Sequence, residues 1–130
     1  MTELSDLIKR HEGLRLKPYT DTTGNITIGY GRNLTSNGIT NLEAELMFEH
    51  DLAEAEDNIF KVFPHYIPGR KWMALVDMMF NLGLTRFLTF KKMIAAIEQG
   101  DWEQASKEVL DSRYAEQVGQ RAVEIAEMIR

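Results

Sequence analysis

Cysteine is absent, which removes disulfides, thiolate nucleophiles and cysteine-ligated zinc from consideration. No stretch approaches the roughly 18 apolar residues in a row that a membrane span needs. The opening "MTELSDLIKRHEG" has no apolar run behind a basic end, so no secretory leader is expected. These absences predict synthesis in the cytoplasm and no membrane insertion. A dense basic patch is also lacking, which leaves nucleic-acid binding with little electrostatic support. The net charge of −5 is uneven: residues 1–40 carry +1, residues 41–65 carry −6, and residues 66–130 balance. The acidic block reads as the solvated face of a helix.

What is present suits one domain. At 130 residues, with 44 % apolar and 27 % charged residues, the chain can bury a single core without staples. There are no internal repeats and no low-complexity tract. Helical periodicity dominates. Leu4, Leu7, Ile8 and His11 form a first apolar stripe, expected to be buried. Thr40 and Glu43 are spaced as a capping box that opens a long helix, which should stop before Pro64. Trp72 to Phe80, Met93 to Ile97, Trp102 to Val109 and Val118 to Ile129 supply the later stripes, with Gly83 and Gly100 as stops and Asp101 with Gln104 as a start. Residues 14–40 break the pattern. Ile26, Ile28 and Tyr30 alternate with Thr27, Gly29 and Gly31, as in a strand, and "DTTGN" before them reads as a hairpin turn.

The expected architecture is α+β and mostly helical. A small β-hairpin lobe (13–40) is joined by a connecting helix (41–63) to a helical lobe made of 64–130 plus 1–12. A cleft between such lobes would suit an extended ligand.

Two carboxylates stand out. Glu12 ends the first amphipathic run directly before Gly13, where a helix's unpaired carbonyls prefer a cation. It falls roughly 90° from the centre of the apolar stripe, at the edge of the face expected to be buried. That shielding and the helix carbonyls favour the protonated acid, as a general acid requires. The plain alternative is an exposed glutamate at a frayed helix end. Asp21 opens "DTTG", where turn N–H groups can bond its carboxylate and favour ionisation; the alternative is an ordinary turn aspartate. One carboxyl held neutral and one held ionised is the arrangement that cleaves glycosidic bonds. Thr27 could add a hydroxyl to the same space, although strand propensity alone accounts for a threonine there.

Glu12, Asp21 and Thr27 stand in the pattern E-x8-D-x5-T inside "HEGLRLKPYTDTTGNITIGYGRNLT". This segment closely resembles the catalytic lobe of the T-even-type phage lysozymes, glycoside hydrolase family 24. The resemblance continues through "GITNLEAELMFEHDLAEAE", "ALVDMMFNLG", "GDWEQASKEVLDSRY" and "GQRAVEI", and so covers essentially the whole chain.

The resemblance implies a lysozyme-like fold and an endolysin. Such an enzyme hydrolyses the β-1,4 bond between N-acetylmuramic acid and N-acetylglucosamine in peptidoglycan glycan strands. Glu12 would be the general acid, Asp21 the carboxylate that orients water or stabilises the transition state, and Thr27 a holder of that water. Inversion at the anomeric carbon is the expected outcome, since Thr27 then has a water to hold. No metal and no cofactor is implied. Arg121 would reach the catalytic glutamate. It lies roughly 70° from the centre of the last helix's stripe, so it could instead cover apolar surface with its stem. A guanidinium there would also oppose protonation of Glu12. Leu34 and Phe87 would line the cleft, and Asn81 and Gln117 would contact sugar hydroxyls and acetamido groups. Asn81 replaces the family pattern's glutamine. Arg32 replaces its histidine, and should therefore lack any stability that a titrating histidine confers.

A monomer is expected, reaching the wall through a membrane hole made by a separate protein. The competing readings are a catalytically inactive peptidoglycan-binding domain of the same fold and a lytic transglycosylase, which also needs an acid. A purely helical adaptor would leave the hairpin lobe and its carboxylates unexplained.

Overall fold

The computed structural model describes residues 2–130. These divide into two compact units, one up to Leu46 and one from Met47 to Arg130. Residues 2–12, expected with the helical lobe, fall in the first unit.

The first unit opens with α1, Glu3–Glu12, capped by Thr2, whose hydroxyl accepts from Ser5 N–H at 3.0 Å. Three antiparallel strands follow in chain order: β1 (Arg15–Thr20), β2 (Ile26–Gly29) and β3 (Arg32–Asn33). Tyr19 pairs with Thr27 and Thr20 with Ile26, so residues 21–25 form the hairpin turn that "DTTGN" predicts. Thr27 also pairs with Asn33 on β3, an edge that the alternation alone did not reveal. A single turn, α2 (Leu34–Asn37), closes the unit; the Asn33 side chain caps it and Thr35 Oγ1 accepts from Ile26 N–H at 2.8 Å.

The expected burial of the first stripe is not found. No residue of α1 is buried, and Leu4 is 64 % exposed. Periodicity identifies the face a helix would bury, but three short strands offer little apolar surface to cover it. Thr27 is the only buried residue among those described in this unit.

α3, Asn41–Val62, begins in the first unit and continues into the second. Its start is the reciprocal capping box read from the sequence: Thr40 Oγ1 accepts from Glu43 N–H at 3.1 Å, and Glu43 Oε1 accepts from Thr40 N–H at 2.8 Å. Arg32 adds a two-pronged ion pair to Glu43, at 2.9 and 2.6 Å, and donates to the Gly38 carbonyl at 3.1 Å. This one guanidinium ties β3, the loop after α2 and the head of α3 together.

The titration expected to be missing at Arg32 has moved to its partner. The Arg32 hydrogen bond, with help from the Thr40 N–H, holds the Glu43 carboxyl down at about 2, from an ordinary 4.5. A lowered pKa means the contribution is fully present above pH 4.5 and lost as pH falls towards 2. The expected result is a melting-temperature advantage of the wild type over Glu43→Gln at pH 5 that shrinks to little near pH 2. An advantage that does not change with pH would show that charge on Glu43 contributes nothing.

The second unit carries the apolar core. It contains the rest of α3, then α4 (Gly69–Leu82), α5 (Leu84–Phe87), α6 (Lys91–Glu98), α7 (Trp102–Leu110), α8 (Arg113–Val118) and α9 (Gln120–Ile129). Ile59, Phe63, Leu75, Met78, Met79, Met93, Ile97, Val109 and Ile129 are almost wholly buried. α7 packs against α9, Ala105 and Ala122 are fully buried, and the buried Ser106 hydroxyl donates to the Ala126 carbonyl at 2.7 Å. Asp101 caps α7 by accepting from Gln104 N–H, as its spacing predicts. The last stripe is split. Gly119, at φ +57°, ends α8 after Val118, and α9 starts at Gln120.

Candidate active site

Glu12 is the final residue of α1, and Gly13 terminates the helix at φ +73° with its N–H on the Lys9 carbonyl. The glutamate side chain folds onto Gly31, in the turn between β2 and β3. A Cβ built on Gly31 would run into Glu12 Oε2 and lie 2.9 Å from its Cδ. One turn earlier on α1, the Lys9 ammonium sits 5.1 Å from the centre of the Tyr30 ring. This packing answers the puzzle of a carboxylate at a helix C-terminus: the side chain is directed at the sheet. Glu12 is nevertheless exposed, not shielded as the helical angle suggested, because the stripe beside it is itself uncovered.

Asp21 lies at the opposite end of β2. Its Oδ1 accepts three bonds, from Thr23 N–H at 2.9 Å, Thr23 Oγ1 at 2.8 Å and Asn25 N–H at 2.9 Å. The backbone closes the same turn, with Asp21 N–H on the Asn25 carbonyl at 2.8 Å. The Asn25 N–H and the Thr23 hydroxyl hold the Asp21 carboxyl below its usual range. Oδ2 takes none of these three bonds.

Thr27 stands on β2 between the two. It is buried, 5 % exposed, and its hydroxyl donates only a long 3.4 Å bond to the Asn25 carbonyl. Leu34, half-buried, begins α2 on the far side of β3. Glu12, Asp21, Thr27 and Leu34 therefore all belong to the first unit, with the first three gathered around one four-residue strand.

The remaining expected residues lie in the second unit. Asn81 is exposed in the last turn of α4. Gln117 is exposed on α8, accepts from Arg86 at 3.3 Å, and shares a cavity of about 640 Å³ with Arg86, Lys91, Lys92, Arg113 and Tyr114. The Tyr114 hydroxyl in that wall is buried without a hydrogen-bond partner among the described residues, and burial pushes its pKa up. Phe87 is a correction. It has no exposed surface and packs edge-on against Phe63, 6.3 Å between centroids, so it is a core residue and lines no ligand surface. Arg121 is held by Asp77, its Nε on Oδ1 at 2.8 Å and Nη2 on the Asp77 carbonyl at 3.2 Å.

Four contributors were missed in the sequence. Thr23 and Asn25 hold Asp21, and the D-x-T-x-N spacing of an aspartate turn could have shown them. Gly31 clears space for Glu12; its signal was a glycine where the alternation calls for a side chain. Asp77 lies 44 positions from Arg121, and no local pattern links the two.

Comparison with known proteins shows which family the chain belongs to. The family model described as phage lysozyme matches residues 9–126. The pre-baseplate central spike protein Gp5 of Enterobacteria phage T4 is 33 % identical across 97 % of this chain, which spans only 27 % of that much longer protein. Probable T4-type lysozyme 1 of Dictyostelium discoideum is 28 % identical, with 99 % of this chain and 94 % of that protein covered. An endolysin of Acyrthosiphon pisum secondary endosymbiont phage 1 is 32 % identical over 88 % of this chain and 80 % of its own length. With the match running through both units, this chain belongs to the phage lysozyme family of glycoside hydrolases.

Proposed function

We propose that the protein hydrolyses the β-1,4 bond between N-acetylmuramic acid and N-acetylglucosamine in peptidoglycan, with Glu12 as general acid and Asp21 as general base. The observation that carries this reading is the placement of the pair around β2. Glu12 rests on the turn that leaves the strand, Asp21 opens the turn that enters it, and Thr27 is on the strand itself.

Each group suits its part. Asp21 is kept ionised by its turn, and Oδ2 is left to take a proton from water. The water oxygen then forms a bond to the anomeric carbon from the face opposite the leaving sugar. The carbon–oxygen glycosidic bond breaks, and Glu12 gives its proton to the departing oxygen. Thr27, with a hydroxyl barely used by the protein, can accept or donate to the attacking water. Leu34, Asn81 and Gln117 are the side chains we assign to substrate contact, and Arg121, fixed by Asp77, to a supporting role.

Inversion is favoured by scale. Inverting pairs stand roughly 6.5–9.5 Å apart and retaining pairs 5–5.5 Å. Glu12 rests on the turn after the four-residue β2 and Asp21 opens the turn before it; that strand is about 10 Å long at roughly 3.4 Å per step, a span that suits the wider, inverting spacing. Proton NMR of the first product from purified peptidoglycan should therefore show the α anomer. A β anomer would overturn inversion, and a 1,6-anhydromuramic end would identify a transglycosylase. The setting we infer is lysis of a host cell from within, as the name endolysin of two relatives suggests, with access through a hole opened by a separate protein.

A further inference from the structure

The position of the acid depends on a residue with no side chain. Resting on the reading of Glu12 as the general acid, we propose that Gly31 is a positioning residue. Its bare Cα is the seat against which the carboxyl is set, and any side chain there moves the acid out of line.

Two glycines flank Tyr30, and both lie in the left-handed region: Gly29 at φ +70° and Gly31 at φ +79°. Backbone conformation therefore explains glycine equally well at both positions. Surroundings do not. A Cβ on Gly29 would meet nothing within 4 Å. One on Gly31 would collide with Glu12 Oε2 and approach Cδ to 2.9 Å and Cγ to 3.4 Å. Close approach of the catalytic carboxyl is thus a demand specific to Gly31.

No residue of α1 is buried. Two contacts one helical turn apart set its end on the sheet: Lys9 over the Tyr30 ring and Glu12 over Gly31. The next residue, Arg32, is itself anchored to Glu43 and to the Gly38 carbonyl, so the seat does not drift. Glu12 is thereby located relative to β2, the strand that carries Thr27 and leads back to the Asp21 turn. Because Glu12 is exposed, a methyl group on Gly31 has an easy outcome: the carboxyl swings into solvent and the fold survives.

The comparison of Gly31→Ala with Gly29→Ala isolates the contact from the backbone strain that both share. Displacing a reacting group by 1 Å can cost about 100-fold in rate. Gly31→Ala should therefore lose about tenfold or more in kcat on purified peptidoglycan, with little change in KM, while Gly29→Ala stays close to wild type. The two should lose thermal stability alike. Glu12→Asp draws the carboxyl back by one methylene, so Gly31→Ala combined with Glu12→Asp should lose less than the product of the two single losses. Equal activity of Gly31→Ala and Gly29→Ala, or losses that simply multiply, would overturn the proposal.

If neither glycine variant folds, wild-type NMR decides: cross-relaxation between Gly31 Hα and Glu12 Hγ is expected, and its absence refutes the seat. A fully active Glu12→Gln would remove the acid reading and this inference with it. An inactive Glu12→Gln with indistinguishable glycine variants would remove the inference alone.

Discussion

Glu12→Gln should clear chloroform-permeabilised Gram-negative cells about 10² to 10⁴ times more slowly than the wild type, the usual contribution of a positioned general acid. The substitution is chosen for what it leaves intact. Glutamine has the shape of glutamate, so its amide can lie on Gly31 as the carboxyl does. What it lacks is an acidic proton that can pass to the leaving oxygen. A neutral side chain is also no worse at a helix C-terminus than an anion, so the melting temperature should stay level or rise slightly. The expected signature is thus an inactive protein that folds well and still sediments with peptidoglycan. Clearing by Glu12→Gln at the wild-type rate would reject the acid role. An inactive wild type that sediments with peptidoglycan would instead point to a binding domain of the same fold.

How far the sequence alone leads differs between the two units, for physical reasons. Local rules hold where partners are close in the chain. The capping box of Thr40 and Glu43, the Asp101 cap and the hairpin turn at 21–25 all appear as their spacing predicts, since each is closed by groups within four residues. Rules that need a distant partner fare less well. The stripe of Leu4, Leu7 and Ile8 names a face but not a covering surface, and that face is exposed. Phe87 was assigned to a ligand surface by resemblance, yet it lies in the core against Phe63, 24 positions earlier in the chain.

The site divides in the same way. Asp21 is legible because its hydrogen-bond partners sit two and four residues on. The direction of Glu12 is not, because it is set by the absence of a side chain at Gly31, 19 positions later. The acidic stretch 41–65 reads correctly as mostly solvated, with Glu56 and the Arg32-paired Glu43 half-buried.

Asp21→Asn tests the other half of the chemistry, and the turn makes the substitution unusually clean. All three bonds to the aspartate side chain fall on Oδ1. An asparagine can place its carbonyl oxygen there, keep Thr23 and Asn25 in position and leave the hairpin closed. Its amide nitrogen then replaces Oδ2. That nitrogen donates where a base must accept, and it carries no charge to stabilise the transition state. Activity should fall by about 10² to 10⁴, the range for a general base, with only a modest change in melting temperature. The pH dependence supplies a second reading. The turn lowers the Asp21 pKa below the ordinary 3.8, so its contribution to stability is complete above pH 3.8 and disappears as pH falls through the lower, folded value. Wild-type activity should therefore keep its ionised base down to below pH 3.8, and the acid limb set by Asp21 should lie under that point. Asp21→Asn has no such limb and should not recover at any pH. Wild-type activity in the variant would exclude Asp21 from the reaction. Loss of activity together with collapse of the hairpin would instead assign the carboxylate to the turn alone.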